Sequence, residues 1–397
     1  MSTFDRMWAD LAPLGRHPAT GGYRRYAWTG TDAVLREWFR GEAEQRGLEV
    51  VADRAGNLWA WTADPDAAGR PGLVVGSHLD SVPDGGAFDG PLGVVSAFAA
   101  LDVLEARGWS PDRPIGVACF ADEEGARFGV ACAGSRLVTG ALDPDRARSL
   151  TDDDGTTMAE AMAAAGQDPA ALGRDDEALR RIGTFVELHV EQGRGLGDGG
   201  APVGVATAIR PHGRWRLDLS GRADHAGTTR LQDRRDPMLA LATVVQTARD
   251  AAVMHDVLAT VGKVQVTPNA VNVIPSAVTA WLDARGLPES AVHAVAAEVG
   301  AAGGVDPVEE SWTRATVFDP ALRDRVAAAA GGDRGPAPLL DTGAGHDAGI
   351  LAAAGVPTAM LFVRNPTGVS HSPAEHAERA DCLAGVDALA RAMEALT

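Results

Sequence analysis

Two short apolar runs that each lead into acidic residues constrain the fold of this chain more than any other feature. The first is "GLVVGSHLD" at residues 72–80, and the second is "PIGVACFADEEG" at residues 114–125. The segment between them, "LGVVSAFAALDVLEARG", has the length and composition of a buried helix. Strand, helix and strand in this order predict a βαβ unit in a parallel sheet. A ligand site in such a sheet lies at the carboxyl ends of the strands.

The pattern of the chain changes near residue 208. Residues 1–208 and 319–397 alternate strand and helix patterns, which predicts an α/β domain with a mixed, largely parallel sheet flanked by helices. Between them, "RWRLDLSGRADHAG" alternates like a strand with one solvated face, and "DPMLALATVVQTARDAAV" is helical. We therefore predict that residues 209–318 form an inserted α+β domain. A length of 397 residues fits two domains.

The composition argues against several classes of partner. The chain carries 36 basic and 54 acidic residues, a formal net charge of −18, whereas nucleic acids and anionic membranes bind basic surfaces. The sequence shows neither an apolar run long enough to cross a membrane nor a signal peptide. Three cysteines do not suggest a disulfide framework. We expect a cytoplasmic protein that binds neither nucleic acid nor membrane.

Histidines and carboxylates recur at the predicted strand ends and in later segments. They are His78 with Asp80, Asp89, the pair Glu123–Glu124, His189 in "ELHVEQG" and His371 in "GVSHSPAEH". Taken alone, such a histidine is more often structural, and adjacent glutamates are common on solvated helices. Together, these imidazole and carboxylate groups form the ligand set of zinc or another divalent transition ion.

The adjacent glutamates suggest a division of labour. Successive side chains point in different directions, so one carboxylate can bind a metal while the other faces a bound water and takes its proton. Asp80, two residues after His78, can lie on the same side and hydrogen-bond the second imidazole nitrogen. Asp89 precedes a helix that begins near Pro91, whose N-terminus favours the anionic carboxylate.

Several motifs, in their order along most of the chain, resemble one enzyme family. They are "GSHLDSVPDGGAFDGPLGV", "ADEEGARFG", "ELHVEQG", "GRADHAGTTR", "NAVNVIPSA", "TGAGHDAG" and "SHSPAEH". Together they are similar to the M20-type metallopeptidase superfamily. "ADEEGARFG" and "ELHVEQG" resemble, within it, the amidase branch of allantoate amidohydrolases, N-carbamoyl-L-amino-acid hydrolases and β-ureidopropionases.

The resemblance implies two divalent metal ions per subunit, Zn²⁺ or Mn²⁺. His78 and His189 would hold one ion, Glu124 and His371 would hold the other, and Asp89 would bridge them. The glycines of the segment "GSHLDSVPDGGAFDG" would let the loop fold tightly enough for the first histidine and the bridging aspartate to reach one site.

Glu123 matches the general base of the family. The implied reaction is hydrolysis of the C–N bond of a small N-carbamoyl or ureido acid, allantoate or an N-carbamoyl-L-amino acid, by a metal-activated water. An N-formyl- or N-acyl-L-amino-acid hydrolase would use the same site, because specificity depends on a few pocket groups. A non-catalytic binding protein fits less well, since the base and all the implied ligands are present. A peptidase also fits less well, because the branch motifs and a candidate arginine clamp favour a small acid over a peptide.

The inserted domain matches the lid and dimerisation domain of the family, so the resemblance also implies a homodimer. His225 resembles the histidine that polarises the scissile carbonyl, from the same chain or from a partner. Asn272 and Arg285 match substrate-binding positions, and an arginine there can clamp the carboxylate of a small substrate. The other implied substrate contacts are Gln192, Gly343 and Gly345.

Overall fold

The computed structural model of the protein describes residues 2–397, which divide into two compact units. The first comprises the chain up to Thr207 together with Val317–Thr397, and the second is Ala208–Thr316. None of the helices in the described range combines the length and apolarity that crossing a lipid bilayer requires.

The strands and helices are numbered here in chain order. The strands are β1 Glu49–Ala52, β2 Leu58–Trp61, β3 Gly72–His78, β4 Ile115–Phe120, β5 Ile182–Val190, β6 Val203–Ile209, β7 His212–Ser220, β8 Asp224–His225, β9 Leu258–Thr267, β10 Val273–Ile274, β11 Ala277–Arg285, β12 Val308–Thr313, β13 Thr316–Val317, β14 Leu339–Thr342 and β15 Thr358–Val363. The α-helices are α1 Thr3–Leu11, α2 Gly30–Gln45, α3 Pro91–Ala106, α4 Ala133–Thr139, α5 Pro144–Ser149, α6 Met158–Ala164, α7 Asp176–Arg180, α8 Gly195–Gly199, α9 Pro237–His255, α10 Glu289–Gly303, α11 Pro320–Gly331, α12 Asp347–Ala353 and α13 Arg379–Leu396.

A mixed sheet forms the centre of the first unit. Its strands follow the order β1-β2-β4-β3-β5-β15-β6-β13, and β14 also pairs with β6. The four neighbours β4, β3, β5 and β15 are parallel, whereas β1, β2 and β6 run antiparallel to the strands beside them. The strands β3, β4 and β15 are buried along their whole length, which explains their continuous apolar runs. The predicted βαβ unit and mixed sheet are confirmed.

Helices cover both faces of this sheet. The central helix α3 begins with Pro91, whose fixed φ suits a first helical position, and it packs against β3, β5 and α13. Along β5, Val186 and Leu188 join the apolar core that contains α3. The alternate residues Glu187 and His189 point to the other face, where α12 packs on β5 and β15.

The strand order of the first unit changes direction at β3. The next strand in the chain, β4, lies on one side of β3, and β5 lies on the other side. At such a switch point the connections leave a crevice beside the carboxyl ends of the strands. The topology of the sheet therefore favours a binding crevice at the carboxyl ends of β3, β4 and β5.

The second unit is an antiparallel sheet covered on one face by two helices. Its strand order is β12-β7-β11-β9, and α9 packs against α10 over the sheet. Along β7, Trp215, Leu217 and Leu219 are buried under the helices, while Arg214 and Arg216 point away from them. The short strands β8 and β10 form a separate antiparallel pair. A lid or dimerisation role for this unit stays a prediction.

Candidate metal centre

The predicted ligands of the first unit lie at the carboxyl ends of neighbouring strands. His78 is the last residue of β3, and Glu123 and Glu124 follow β4 directly. His189 is the penultimate residue of β5, and His371 lies in the segment after β15. Because these strands are parallel neighbours, their carboxyl ends bring the side chains to one edge of the sheet.

Asp89 reaches the strand ends because the loop after β3 folds back tightly before α3. Gly90 has a φ of 82°, in the left-handed region that favours glycine. A Cβ at Gly90 would lie 2.4 Å from atoms of the His78 ring. Glycine at this position therefore allows the aspartate and the imidazole to approach one another.

A first group of ligands consists of His78, His189 and Asp89. The Nε2 atoms of His78 and His189 lie 3.5 Å and 3.2 Å from Asp89 Oδ1. Within residues 2–397, neither Nε2 makes a hydrogen bond, although both are buried. The Nδ1 atom of His189 lies 2.9 Å from the backbone oxygen of Val190, a contact that orients the ring with Nε2 towards Asp89.

A second group consists of Asp89, Glu124 and His371. His371 Nε2 lies 3.5 Å from Asp89 Oδ2 and 3.5 Å from Glu124 Oε2. Asp89 thus directs one oxygen to each group. The His371 side chain retains 51% of its exposure, so the site opens to solvent on this side. Its backbone has a φ of 54°, a strained value for a residue other than glycine.

The two groups fit divalent metal ions. Ligand atoms that stand about 2.0–2.1 Å from a tetrahedral ion are about 3.4 Å from one another. The separations of 3.2 Å to 3.5 Å match this spacing. No arginine or lysine among the described residues pairs with the buried carboxylates of Asp89, Glu123 and Glu124. Buried anions need a compensating charge, which a divalent cation supplies.

The protonation of the site supports the same conclusion. Burial opposes the ionisation of Asp89, but His189 and His78 lower its pKa well below the usual range. Burial lowers the pKa of His189 and Asp89 raises it, with a net rise to about 9. Burial raises the pKa of Glu124 to about 8, and Asp89 adds to this rise. A cation among these groups would favour the ionised carboxylates and neutral imidazoles that bind metals.

Asp80 connects the end of β3 to the turn after β4. His78 Nδ1 lies 3.2 Å from the main-chain oxygen of Asp80 and 3.4 Å from its Oδ1. The Asp80 carboxylate accepts hydrogen bonds from the backbone N–H groups of Glu123 (3.2 Å) and Glu124 (3.0 Å). The main-chain oxygen lies nearer to the imidazole than the carboxylate does, and the carboxylate also holds the two glutamates. That the carboxylate orients the imidazole stays a prediction.

Glu123 lies beside the first group of ligands without belonging to it. Its carboxyl group is buried, and Oε2 lies 3.7 Å from His78 Nε2. Burial raises the pKa of Glu123 well above its usual range, His78 opposes the rise, and Asp347 and Glu124 add to it. A carboxylate in this position can exchange a proton with a water held among the ligands.

Sequence reasoning missed Glu375, which holds the Asp89 loop from the C-terminal part of the chain. Its Oε1 accepts hydrogen bonds from the backbone N–H groups of Phe88 (2.8 Å) and Asp89 (3.0 Å). The Ser370 hydroxyl lies 3.3 Å from both Asp89 Oδ2 and Glu375 Oε2. The sequence shows an acid four residues after His371, but no sequence pattern indicates that it binds the backbone of the Asp89 loop.

Gln192, predicted as a substrate contact, lies at the second group of ligands. Its Nε2 donates a hydrogen bond of 2.8 Å to Asp89 Oδ2 and lies 3.4 Å from His371 Nε2. Its buried Oε1 has no hydrogen-bond partner among residues 2–397. The side chain thus lies beside the second group of ligands, and its role as a substrate contact stays a prediction.

Gly343 and Gly345 lie in the bend between β14 and α12. The next residue, His346, is buried, and its ring centroid lies 4.5 Å from that of His189. Asp347, the first residue of α12, accepts a hydrogen bond from the hydroxyl of Ser135. The bend therefore supports one wall of the metal centre, and the anion-binding role of its glycines stays a prediction.

A third group of close ligand atoms, formed by Glu187, His189 and His346, is a weaker metal site. Both carboxylate oxygens of Glu187 already accept hydrogen bonds, one from the Ser77 hydroxyl (2.8 Å) and one from the Ala348 N–H (2.9 Å). His189 is shared with the first group. Glu187 is therefore a structural link between β5, β3 and α12.

The second unit brings together two of its three predicted residues. His225 pairs with Val273 across β8 and β10, and the N–H of Ala226 donates to the backbone oxygen of Asn272 (3.0 Å). The His225 ring is exposed, and its Nδ1 accepts a hydrogen bond of 3.0 Å from the Gly227 N–H. This bond leaves Nε2 as the ring nitrogen that can carry a proton and donate a hydrogen bond.

Arg285 ends strand β11 and contacts the aspartate two residues before it. Its guanidinium binds Asp283 at two points, Nε to Oδ1 (2.6 Å) and an NH2 nitrogen to Oδ2 (3.0 Å). Burial opposes the ionisation of Asp283, but Arg285 lowers its pKa below the usual value. Residues two apart on a strand share a face, so this pairing follows from the sequence "DAR".

Comparisons with known proteins agree with this geometry. The sequence profile of "Peptidase family M20/M25/M40" matches residues 74–395. An N-carbamoyl-L-amino acid amidohydrolase of Geobacillus stearothermophilus is 37% identical over 97% of this chain and 96% of its own length. An allantoate amidohydrolase of Escherichia coli strain K12 is 32% identical over 96% of this chain and 94% of its own length.

The fold is similar to solved structures over nearly the whole chain. A crystal structure of an amidase of the hydantoinase/carbamoylase family from Burkholderia vietnamiensis has a TM-score of 0.86 and 32% identity. The similarity covers 98% of this chain and 96% of that one. The motifs, the strand-end site and the matched length agree. The chain therefore belongs to Peptidase family M20/M25/M40 and, within it, to the amidohydrolase branch that its motifs predicted.

Proposed function

We propose that this amidohydrolase cleaves the C–N bond of a small N-carbamoyl or ureido acid, either an N-carbamoyl-L-amino acid or allantoate. The observation that carries the proposal is Asp89, which directs one carboxylate oxygen to each of two ligand groups beside a buried glutamate. The names of the similar proteins support the substrate class, since they are N-carbamoyl-L-amino acid and allantoate amidohydrolases.

Two divalent ions, Zn²⁺ or Mn²⁺, would occupy the two groups. His78 and His189 would hold one ion, Glu124 and His371 would hold the other, and Asp89 would bind both. Such ions, when bound, polarise the substrate carbonyl and make a coordinated water more acidic. The fit rests on the buried Nε2 atoms of the first two histidines, which find no hydrogen-bond partner among residues 2–397.

Glu123 would act as the general base. It would take a proton from the attacking water and return that proton to the leaving nitrogen. The residue is 5% exposed, and its carboxyl group lies 3.7 Å from a ligand atom of His78, close to where a water would be held. The raised pKa that burial gives this carboxyl suits a group that must gain and lose a proton.

Groups of the second unit would bind and polarise the substrate. Arg285 would pair with the substrate carboxylate, and Asn272 would add a polar contact. His225 would donate a hydrogen bond to the carbonyl oxygen as negative charge develops there. The pairing of Arg285 with Asp283 supports its proposed role, because a guanidinium held at two points has fewer orientations to lose on binding.

The protein would act as a homodimer formed through the second unit. Strand β9 is an edge strand of its sheet and offers unpaired backbone groups. Apolar side chains are exposed along this strand, at Leu258 and Val264, and at the end of α9, at Val253 and Met254. Exposed apolar surface beside a free edge is typical of a protein interface. Light scattering on the purified chain should give twice the mass of one chain.

The cytoplasm is the compartment that we propose. Cys119, Cys132 and Cys382 are free and buried, as suits a reducing environment. Fractionation of the source cells tests this assignment, and recovery of the protein outside the cytoplasm would contradict it.

A hydrolysis assay tests the proposed reaction. The purified chain, reconstituted with Zn²⁺ or Mn²⁺, is incubated with allantoate, N-carbamoyl-L-amino acids and N-formyl-L-amino acids. We expect release of ammonia from one or more of the carbamoyl or ureido substrates, and none after chelation of the metals. Release of formate, without ammonia from any carbamoyl substrate, would overturn the proposal in favour of an N-formyl-amino-acid hydrolase.

A further inference from the structure

Cys132 occupies a strained and buried position next to the turn that carries Glu123. It immediately precedes α4, with a φ of 55°, in the left-handed region that residues other than glycine rarely adopt. It is 2% exposed. A residue held in such a backbone conformation requires support from its surroundings, and such strain is frequent at functional sites.

Backbone hydrogen bonds fix this residue against the strand end. The N–H of Cys132 donates to the backbone oxygen of Glu123, and the N–H of Ala133 donates to that of Asp122 (3.0 Å). The N–H of Gly134 donates to the backbone oxygen of Ala121 (2.9 Å). Three successive donors thus hold the start of α4 along the turn after β4, so the position of the thiol follows that of the turn.

The thiol of Cys132 contacts the carboxylate of Glu123 directly. Its Sγ donates a hydrogen bond of 3.3 Å to Glu123 Oε1. Burial and the nearby Glu123 carboxylate raise the pKa of Cys132 well above its usual value, so the group remains a thiol that can donate. Among residues 2–397, no other side chain donates a hydrogen bond to Glu123. The other oxygen, Oε2, lies on the side of His78.

We propose that Cys132 is a positioning residue for the reaction: its thiol holds Oε1 of Glu123 so that Oε2 faces the metal centre. This inference rests on the proposed role of Glu123 as the general base. A thiol is a weak hydrogen-bond donor, so it can hold the carboxylate oxygen in place while lowering the basicity of the carboxylate only slightly. An arginine or lysine in the same place would stabilise the ionised carboxylate and make it a weaker base.

Steady-state kinetics of Cys132 variants test the proposal. We expect Cys132→Ala to lower kcat about tenfold, the lower end for loss of a hydrogen bond to a charged group. KM should stay within about twofold, because substrate binding does not involve the thiol. Cys132→Ser keeps a donor and should recover most of kcat. The matched control is Cys382→Ala, which empties a similarly buried cysteine site in α13.

Two outcomes of these kinetics would overturn the proposal. One is an equal loss of kcat in Cys132→Ala and Cys382→Ala, which would indicate a general packing effect. The other is an unchanged kcat in Cys132→Ala while Glu123→Gln is inactive, which leaves Glu123 as base and removes only the role of the thiol. An active Glu123→Gln variant would instead refute the general base itself, so the two failures are distinguishable.

Infrared spectroscopy of the thiol gives a readout that does not depend on activity. In a Cys119→Ala/Cys382→Ala chain, Cys132 is the one remaining cysteine of the sequence. A thiol that donates to a carboxylate has a lowered S–H stretching frequency. We expect the band to move to higher frequency in Glu123→Gln, because an amide is a weaker acceptor than a carboxylate. A band that does not move would show that the thiol and the carboxylate do not interact, and would overturn the proposal.

Discussion

The candidate groups of the two units differ in how firmly the fold holds them. In the first unit, Asp89 is buried, and its loop is fixed through the carboxylate of Glu375. In the second unit, the His225 ring is exposed and Arg285 contacts an aspartate on its own strand. The buried set is held by contacts with distant parts of the chain, while the His225 ring and the Arg285 guanidinium each contact a group two residues away. The first suits ion binding, and the second suits groups that adjust to a substrate.

The largest expected effect is that of Glu123→Gln on turnover. An amide cannot accept the proton of the attacking water, and positioned acid–base catalysis contributes roughly 10²–10⁴-fold. We expect kcat to fall by that factor while elemental analysis shows unchanged metal content. Glu124→Gln, the matched control one residue on, should instead lose metal. A kcat near that of the parent protein in Glu123→Gln would remove this residue from the mechanism.

The second prediction concerns His225 in the exposed set. His225→Ala should lower kcat by about 10²–10³-fold, the usual cost of losing one donor to a developing oxyanion. Metal content should be unaffected. The matched control, His255→Ala, removes a histidine at the end of α9 in the same unit and should change kcat little. Equal kinetics in both variants would exclude His225 from transition-state stabilisation.

Mixing of subunits extends this test of His225. Inactive His225→Ala and Glu123→Gln chains are combined under conditions that allow proven subunit exchange. Recovery of activity in the hybrid would show that the histidine acts across the dimer. No recovery would place His225 in the same chain as the glutamate with which it works.

The third prediction concerns the support of the buried set. Asp80→Ala removes the acceptor of the Glu123 and Glu124 N–H groups and should weaken metal affinity by about 10–100-fold. Isothermal titration with Zn²⁺ measures the change. Asp84→Ala, at a partly exposed carboxylate paired with Arg24, is the control and should keep the parent affinity. A structure with bound metal in which Asp80 is a direct ligand would contradict this supporting role.

The smallest expected effect is that of Arg285 on substrate binding. Arg285→Ala should raise KM roughly tenfold, since a hydrogen bond to a charged group contributes about 1.5–3 kcal/mol and this side chain is partly exposed. Amide substrates that lack the free carboxylate should lose less. Arg285→Lys keeps the charge but not the two-point geometry, so its KM should lie between those of the parent protein and Arg285→Ala. An unchanged KM in Arg285→Ala would contradict carboxylate recognition.

The sequence predicted the position of those site residues that directly follow a strand. His78 and Glu123 follow continuous apolar runs, and the rule that parallel strands share a carboxyl edge brings them together. Cys132 and Glu375 were not predicted, because their contacts depend on loops that return to the site. The bond of Cys132 to a glutamate nine residues earlier and that of Glu375 to backbone N–H groups leave no periodic signal.

The order of the strands along the chain has a consequence for folding during synthesis. The first ligand group is complete once residue 189 is in place, but the second requires His371, which follows β15 and the whole second unit. Strand β15 also covers the free side of β5, the strand of His189. A nascent chain can therefore form the second ligand group only after residue 371 has been synthesised. Binding of both proposed ions would therefore require the chain to extend past His371, and the ions would then favour the folded state by mass action.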